Sequence, residues 1–394
     1  MKVAIVTYFP EDPSAPRGGV EAVSVNLTRA LSGFKDLDLH VVTFNGHCSS
    51  VSKSSWDGIT IHRLPAPKGS VLLSAIGPGR RSVSEYLCKL SPDVVHAHDT
   101  YGLMVKGLRI PRVFTIHGFI YGDTLVSRQR WPRLRSWIWR RFETSGWADQ
   151  PHIISISPYV RERLTGIATG VIHDIDNPIS ESFFHIERKE KEGIIFSAGV
   201  ISRRKNTLAL IEAYAILMGK GIKAELRLAG DVTEPRYGKL VEDCINKYNL
   251  KDKVKLLGRL TTQKIAQELE SATLFALVSL EENSPMGIEE AMAAGIPVVT
   301  SNRCGMPYMV RHGESGFLVN PKDPCDIARR LGQILSEPTL KKSMADRSKA
   351  IALERFHPRR VAQRTLEVYY EAIQRKSDNP PEEKCLGGDD RRSP

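Results

Sequence analysis

Two carboxylates in one short segment have the spacing of a ligand site. Glu282 lies in a loop after a predicted strand, and Glu290 lies one turn into a predicted helix that begins near Met286. Carboxylates accept hydrogen bonds from hydroxyl groups, and the free amides of a helix N-terminus attract phosphate. The combination suits a nucleoside diphosphate sugar. The alternative is an acidic first turn that only complements the helix dipole.

A pair of glycines precedes the first predicted helix, after the first predicted strand. Gly18 and Gly19 carry no side chain, so a ligand can approach their amides closely, and the helix dipole favours an anion there. A flexible turn before a helix explains the pair equally well. Both interpretations stay open on the glycines alone.

Histidines mark the ends of two further predicted strands. The strand over 113–116 is followed by His117, which can donate or accept a proton near neutral pH. A lone histidine in such a position is more often structural. The strand that begins at Val94 leads into a second polar group, which consists of His96, His98 and Asp99. The alternation of a strand would put His96 and His98 on one face, but as metal ligands the two histidines have no evident third partner, so we expect no metal site.

Apolar, β-branched runs alternate with helical patterns from one end of the chain to the other. The alternation begins at Lys2–Thr7 and starts again at Ile194–Ala198, which indicates two parallel sheets with right-handed crossovers. We therefore predict an α/β protein with two doubly wound, Rossmann-like domains that meet near residues 177–178. No Gly-x-Gly-x-x-Gly follows either first strand, so a dinucleotide enzyme with one Rossmann domain is not indicated. Ligands of such sheets bind at the carboxyl ends of strands.

The composition argues against several classes of protein. The 394 residues contain no apolar run long enough to cross a bilayer, and the first apolar run reaches Pro10 too early for a signal peptide. The six cysteines form no Cys-x-x-Cys pair, which favours scattered thiols over a zinc site or a disulfide framework. We expect a cytoplasmic protein in a reducing compartment. The polar segment 376–394 is predicted to be disordered.

A basic segment carries much of the net charge. Of the total of +11, +8 falls within residues 51–150, which hold 15 Lys and Arg and 7 Asp and Glu. On a helix over 128–142, one face would carry an apolar stripe of Trp131, Leu134, Ile138 and Phe142. One possibility is that the stripe packs on the N-terminal sheet. The other is that it contacts an anionic acceptor or an anionic membrane, which would place the protein at the inner face of that membrane. No nucleic-acid motif accompanies it, so we expect no nucleic-acid partner.

Several of these segments together resemble one enzyme family, the retaining family-four (group 1) glycosyltransferases of GT-B architecture. The similar segments are the Glu282 and Glu290 pair with the run to Val299, the segment 314–319, Gly18–Glu21 and Thr115–Gly118. The resemblance covers roughly residues 1–375 and is most specific across 279–319. It implies two Rossmann-like domains that face each other across a cleft. We assign residues 1–177 to the acceptor side and 178–357 to nucleotide-sugar binding, with a helix at about 358–375 packed back on the first domain.

The resemblance also implies roles for individual residues. Glu282 would contact hydroxyl groups of the donor sugar, Glu290 would bind the ribose, and His117 would lie near the reacting centre. Lys205 falls on the family's lysine, which neutralises the leaving diphosphate. The predicted catalytic residues are thus His117, Glu282 and Lys205. The diphosphate would be held by backbone amides of two loops, at Gly18, Gly19, Met286, Gly287 and Ile288.

The main departure from the family is Val200, which stands where an arginine is usual. Arg203 or Arg204 is expected to supply the missing cation to the donor. On the acceptor side, His98 and Asp99 are the candidate contacts.

The reaction implied is transfer of a hexosyl unit, with retention of anomeric configuration, from a nucleoside diphosphate sugar to a glycan or lipid-linked acceptor. Fixed cations and amides can stabilise the leaving diphosphate, so we expect no metal and no other cofactor. The segment 174–176 has the form of a metal-binding Asp-x-Asp, but it lies at the predicted domain boundary, and we interpret it as a hinge. The alternatives are a nucleotide-sugar 2-epimerase and a non-catalytic nucleotide-sugar-binding subunit, the latter suggested by Val200.

Overall fold

The structure, a computed structural model, describes residues 1–47, 49–126 and 131–378. The predictions made for residues 128–130 of the basic segment and for 379–394 of the tail lie outside these residues. In the described ranges, no helix combines the length and the apolar character needed to cross a membrane.

The N-terminal domain is built on an eight-stranded sheet with the order β3-β4-β2-β1-β5-β6-β7-β8. Every pairing is parallel except that of β3 with β4. Its strands are β1 (Lys2–Val6), β2 (Asp38–Asn45), β3 (Ser52–Trp56), β4 (Ile59–Pro65), β5 (Val94–His98), β6 (Arg112–Ile116), β7 (His152–Ser155) and β8 (Val171–Asp174). Its helices are α1 (Gly19–Ser32), α2 (Val71–Ile76), α3 (Pro78–Leu90), α4 (Tyr101–Met104), α5 (Ile120–Val126), α6 (Pro132–Ala148) and α7 (Pro158–Leu164).

The C-terminal domain is built on an all-parallel sheet with the order β11-β10-β9-β12-β13-β14. A 3-10 helix, Glu181–His185, leads into it. Its strands are β9 (Ile194–Ala198), β10 (Glu225–Ala229), β11 (Val254–Gly258), β12 (Leu274–Leu277), β13 (Val298–Ser301) and β14 (Gly316–Val319), and a second 3-10 helix is Met306–Tyr308. The helices of this domain are α8 (Thr207–Gly219), α9 (Pro235–Lys247), α10 (Thr262–Ser271), α11 (Met286–Ala293), α12 (Pro324–Ser336) and α13 (Pro338–Arg355), and α14 (Pro358–Asp378) follows them in the chain.

This architecture confirms the predicted α/β fold with two doubly wound domains. The central strands are covered by helices on both faces, which is why they appear in the sequence as continuous apolar runs. Three strands were not predicted, β3, β4 and β8. The side chains of Ser52–Ser55 in β3 are exposed and polar, and β8 is a short edge strand without a fully buried residue. Such strands form by pairing with a neighbour, which local sequence does not reveal.

The last helix, α14, returns to the N-terminal domain. It packs against α1 and buries Tyr369, whose hydroxyl lies 2.7 Å from Nδ1 of His96. The other ring nitrogen of His96 lies 2.7 Å from Oγ1 of Thr115. Burial lowers the pKa of His96 to about 3, so the ring is neutral at physiological pH. His96 is therefore a hydrogen-bonded core residue.

The segment between the domains carries the predicted Asp-x-Asp. Asp176 makes a two-pronged ion pair with Arg355 at the end of α13, with distances of 2.6 and 3.2 Å. Asp174 pairs instead with Nε of Arg161 at 2.8 Å, and Ile175 between them is buried. The two carboxylates therefore form ion pairs with two different arginines.

The cysteines differ in part from expectation. Cys244, Cys304 and Cys325 are free thiols. Cys88 is disulfide-bonded, so the expectation of thiols throughout is wrong at this position.

We expect Tyr369→Ala to destabilise the N-terminal domain by about 3–5 kcal/mol, because a fully buried aromatic ring leaves a cavity. Urea unfolding followed by tryptophan fluorescence measures this domain selectively, since all five tryptophans lie within residues 56–147. The neighbouring Tyr370 is 51% exposed, so Tyr370→Ala should change stability by no more than about 0.5 kcal/mol. Equal effects of the two substitutions would contradict the packing of α14.

Candidate active site

A cleft of about 500 Å³ separates the two domains and is lined by residues of both. On the N-terminal side, the lining comes from the loop before α1 and from the carboxyl ends of β5 and β6. On the C-terminal side, it comes from the loops after β9, β10 and β12. These are the strand ends at which doubly wound sheets place their ligands.

The centre of the cleft is an ion cluster of one carboxylate and two cations. Oε1 of Glu282 lies 2.6 Å from Nζ of Lys205 and 2.7 Å from Nη1 of Arg204. Only 10% of the Glu282 side chain is exposed. Burial by itself would raise the pKa of this carboxyl, but the two cations outweigh it, and the pKa is lowered. The carboxylate is therefore charged at neutral pH.

Backbone contacts hold the two loops of this cluster together. The N–H of Leu280 donates to the carbonyl of Arg204 at 2.8 Å, and the N–H of Gly305 donates to the carbonyl of Glu282 at 2.9 Å. The side chain of Asn206 donates to two further carbonyls, those of Val278 (3.1 Å) and Pro321 (2.7 Å). The position of Glu282 is thus set by β12 and by the loops on either side of it.

Gly305 is needed for this arrangement because its backbone lies directly under the loop of Glu282. A Cβ at this position would come within 1.7 Å of the carbonyl oxygen of Asn283. Gly305 was not predictable from the sequence, since its importance arises from a contact with a different loop.

Arg204, and not Arg203, provides the second cation. Arg203 turns to the outside, where its Nε lies 3.9 Å from Glu234 and its guanidinium lies 5.3 Å from the ring centroid of Tyr237. Val200 lines the cleft. The structure therefore separates the two arginines that the sequence could not distinguish.

Two helix N-termini, one from each domain, meet at the cleft. A Cβ on Gly19 at the start of α1 would lie 3.7 Å from Cγ of Met286 at the start of α11. Neither helix has a side-chain cap, so the first-turn amides are left for a ligand. Gly287 is packed tightly, since a Cβ there would lie 3.1 Å from the ring of Phe275. The side chain of Ile288 is buried in the core, so only its backbone could take part in binding.

Two adjacent glutamates of α11 differ in role. Glu290 lines the cleft, and burial raises its pKa to about 8. Glu289 is completely buried and accepts a 2.6 Å hydrogen bond from the hydroxyl of Ser284. Burial raises the pKa of Glu289 well above its ordinary value.

His117 lies at the N-terminal wall and is held from two sides. Its backbone N–H donates to Oδ1 of Asp99 at 2.8 Å, and its carbonyl accepts from the side chain of Asn283 at 2.9 Å. Its Nε2 lies 2.9 Å from Nδ1 of His98. Burial lowers the pKa of His117, so the ring is neutral. His98 is fully buried behind it, which corrects the expectation that His98 contacts the acceptor.

The N-terminal half of the cleft also contains acidic and aromatic residues that were not predicted from the sequence. Asp123 lies 3.8 Å from Nε of Arg204, and Glu143 accepts hydrogen bonds from the amides of Ile120 and Tyr121, both at 3.0 Å. Burial raises the pKa of Glu143 to about 8. Trp139 also lines this part. No spacing in the sequence could have revealed these residues, because they line the cleft opposite loops that are distant in the chain.

Most of the predicted site residues line the cleft, namely Gly18, Gly19, Asp99, His117, Arg204, Lys205, Glu282, Met286, Gly287 and Glu290. Arg203, His98 and the side chain of Ile288 lie away from it, for the reasons given above.

Comparison with known proteins identifies the family. The family model "Glycosyl transferases group 1" matches residues 178–351, and "Glycosyltransferase Family 4" matches residues 17–182. WcaL of Escherichia coli K12, named as a colanic acid biosynthesis glycosyltransferase, is 32% identical over 296 residues, which are 71% of this chain and 69% of that protein. The chain belongs to the group 1 glycosyltransferases and is a glycosyltransferase enzyme.

Solved structures show the same fold. Sucrose-phosphate synthase from Thermosynechococcus elongatus superposes with a TM-score of 0.80 at 19% identity, over 95% of this chain and 99% of that chain. Anabaena HepE in complex with UDP and glucose gives a TM-score of 0.70 at 21% identity, over 94% and 99% of the two chains. The fold of the chain is therefore GT-B.

We expect the stability of the wild-type chain to fall more steeply from about pH 5 to pH 8 than that of Glu290→Gln. The native carboxyl keeps its proton up to about pH 8, whereas the unfolded one loses it near pH 4.5. Between these two pKa values the native state binds one proton more than the unfolded state. The free energy of unfolding therefore falls as pH rises through this window, by up to about 1.4 kcal/mol per pH unit. Urea unfolding followed by far-UV circular dichroism measures the slope.

The control is Glu242→Gln, which removes an exposed carboxyl of α9 in the same domain. Its stability should follow the wild-type pH profile. A Glu290→Gln profile parallel to that of the wild type would show that the carboxyl titrates normally.

Proposed function

We propose that the chain transfers a hexosyl unit from a nucleoside diphosphate sugar to a glycan or lipid-linked acceptor, with retention and without a metal. The observation that carries the proposal is the cluster of Arg204, Lys205 and Glu282 beside the two uncapped helix N-termini. HepE, which shares the fold, was solved with UDP and glucose.

The donor fits the cleft by charge. Breaking the bond between the anomeric carbon and the phosphate leaves an anionic diphosphate, which the amides at Gly19 and Met286 and the cation of Lys205 can stabilise. Arg204 supplies the positive charge that the family's arginine would provide at the position of Val200. When phosphate takes over the two cations, Glu282 is released to accept hydrogen bonds from sugar hydroxyls. Glu290, protonated at neutral pH, can both donate to and accept from a ribose diol.

The acceptor side is assigned to the N-terminal half of the cleft. Asp123 and Glu143 offer oxygen atoms to acceptor hydroxyls, and Trp139 offers an aromatic surface. The name of WcaL, which refers to colanic acid biosynthesis, supports a polysaccharide or its lipid-linked precursor as acceptor. His117 is neutral and lies at the N-terminal wall of the cleft, where it can hold a hydroxyl near the reacting centre.

We expect Arg204→Ala to lower kcat/KM by about 10²-fold or more, because a cation that faces the developing diphosphate charge is lost. Arg203→Ala is the matched control and should stay within a few-fold of the wild type, since Arg203 points to Glu234. The assay measures release of nucleoside diphosphate from a panel of nucleotide sugars, with and without acceptor.

Two outcomes would count against the proposal. Equal losses in the two arginine variants would remove the assigned role of Arg204. An epimerised sugar formed without acceptor would identify a 2-epimerase instead of a transferase.

A membrane contact is proposed for the outer face of α6. Trp131 and Leu134 are 71% and 54% exposed, and Trp137, which was not part of the predicted stripe, is 64% exposed. Ile138 and Phe142 are partly buried, so the predicted stripe is divided between packing and solvent. The same helix carries Arg133, Arg135, Arg140 and Arg141. Exposed tryptophans among arginines suit the interface of an anionic bilayer.

We expect flotation with anionic vesicles at low salt, and weaker flotation as salt rises. The double variant Trp131→Ser and Trp137→Ser should reduce the floated fraction, because both rings leave the interface. Leu240→Ser removes an exposed apolar side chain from α9 in the other domain and should float like the wild type. Failure of the wild type to float at low salt would refute the membrane contact.

A further inference from the structure

A group of two histidines and a glutamate lies away from the cleft, where three elements of the N-terminal domain meet. His152 begins β7, His173 lies in β8, and Glu371 lies in α14. In the register of the two strands, His152 pairs with Val171 and Ile154 pairs with His173. The two histidines therefore lie on the same face of the sheet, on a diagonal, below the last helix.

Their ligand atoms converge on one point. Nδ1 of His152 lies 3.1 Å from Nε2 of His173, and the carboxylate oxygens of Glu371 lie 3.8 Å from the first nitrogen and 4.0 Å from the second. With metal–ligand bonds of about 2.0–2.2 Å, the ligand atoms of a tetrahedral site lie roughly 3.3–3.6 Å apart. The three groups are thus within a few tenths of an ångström of that geometry.

The charge state also fits a cation. Burial lowers the pKa of His152 and of His173, although Glu371 opposes the shift. Both rings are therefore neutral at pH 7, which is the form that binds metals. The side chain of His152 is 1% exposed and that of His173 is 15% exposed, whereas Glu371 is 50% exposed, so solvent can complete the coordination.

A second pair of histidines in the same domain has a similar spacing but, among the described residues, lacks a carboxylate on the same side. Nδ1 of His40 lies 2.9 Å from Nε2 of His62, but the carboxylate of Asp38 lies on the opposite nitrogen of His40. Those three groups cannot share one ion. In the part of the chain that the structure describes, the convergent set is that of His152, His173 and Glu371.

We propose that His152, His173 and Glu371 bind one divalent cation and that Zn²⁺ is the ion whose preference for imidazole and carboxylate they match. The ion would tie α14 to the edge of the N-terminal sheet. None of the three residues lines the cleft, so the site is structural and independent of the metal-free transfer proposed above.

The test is calorimetric titration of the chelator-treated full chain with zinc sulfate. The wild type should bind one ion, and Glu371→Gln and His173→Gln should each weaken binding about tenfold or more. The matched control is Glu367→Gln, which removes an exposed carboxylate one turn earlier in α14 and should keep wild-type affinity. Mg²⁺, which prefers oxygen ligands, should not compete.

A second readout concerns geometry and stability. Co²⁺ in place of Zn²⁺ should give the visible absorption of a tetrahedral site, and this band should be lost in Glu371→Gln. Zn²⁺ should also raise the unfolding temperature that tryptophan fluorescence reports in the wild type and in Glu367→Gln. Absence of zinc binding by the wild type, or wild-type affinity in either ligand variant, would overturn the proposal.

Discussion

One carboxylate oxygen holds the centre of this molecule together. Oε1 of Glu282 contacts both Lys205 and Arg204 within 2.7 Å, in a cleft where little water screens their charges. Without it, two cations would face each other at close range in a medium of low dielectric constant. One carboxylate and two cations leave the cluster with a net charge of +1, which attracts an anion. Under the proposed function, a diphosphate that binds the two cations would release the carboxylate for other contacts.

The loops around the cluster are held by these ion pairs and by a few polar contacts between the domains. Asn283, next to Glu282, donates to the carbonyl of His117, and Glu281 accepts a 2.8 Å hydrogen bond from the hydroxyl of Tyr159. Tyr308 donates to Glu162 at 2.7 Å. Hydrogen bonds of this kind contribute about 1 kcal/mol each. Such contacts orient the two walls of the cleft relative to each other.

Much of the fold was predictable because its signals are local. The continuous apolar strands, the helices between them and the restart near residue 194 follow from periodicity. The strands β3 and β8 were not predictable in this way, since they depend on pairing at sheet edges. The strand β4 does carry a local signal, the alternating and buried Ile59 and Ile61, which was missed. In the site, Glu282 and Glu290 were singled out from their spacing, in the loop after a predicted strand and in the first turn of the next helix, whereas Lys205 was assigned through the family resemblance. Asp123, Glu143 and Gly305 were missed because they reach the site from elsewhere in the chain.

The sequence by itself determined which loops place charged side chains and free amides at the carboxyl ends of the strands. The order of strands and helices dictates where those loops lie. It could not decide between Arg203 and Arg204, which are adjacent and chemically identical. The tertiary structure decided this, because the loop before α8 turns one guanidinium toward Glu282 and the other toward Glu234. Burial, too, is a tertiary property. His98 is buried behind His117, whereas His117 lines the cleft, although the two histidines lie at the ends of neighbouring strands.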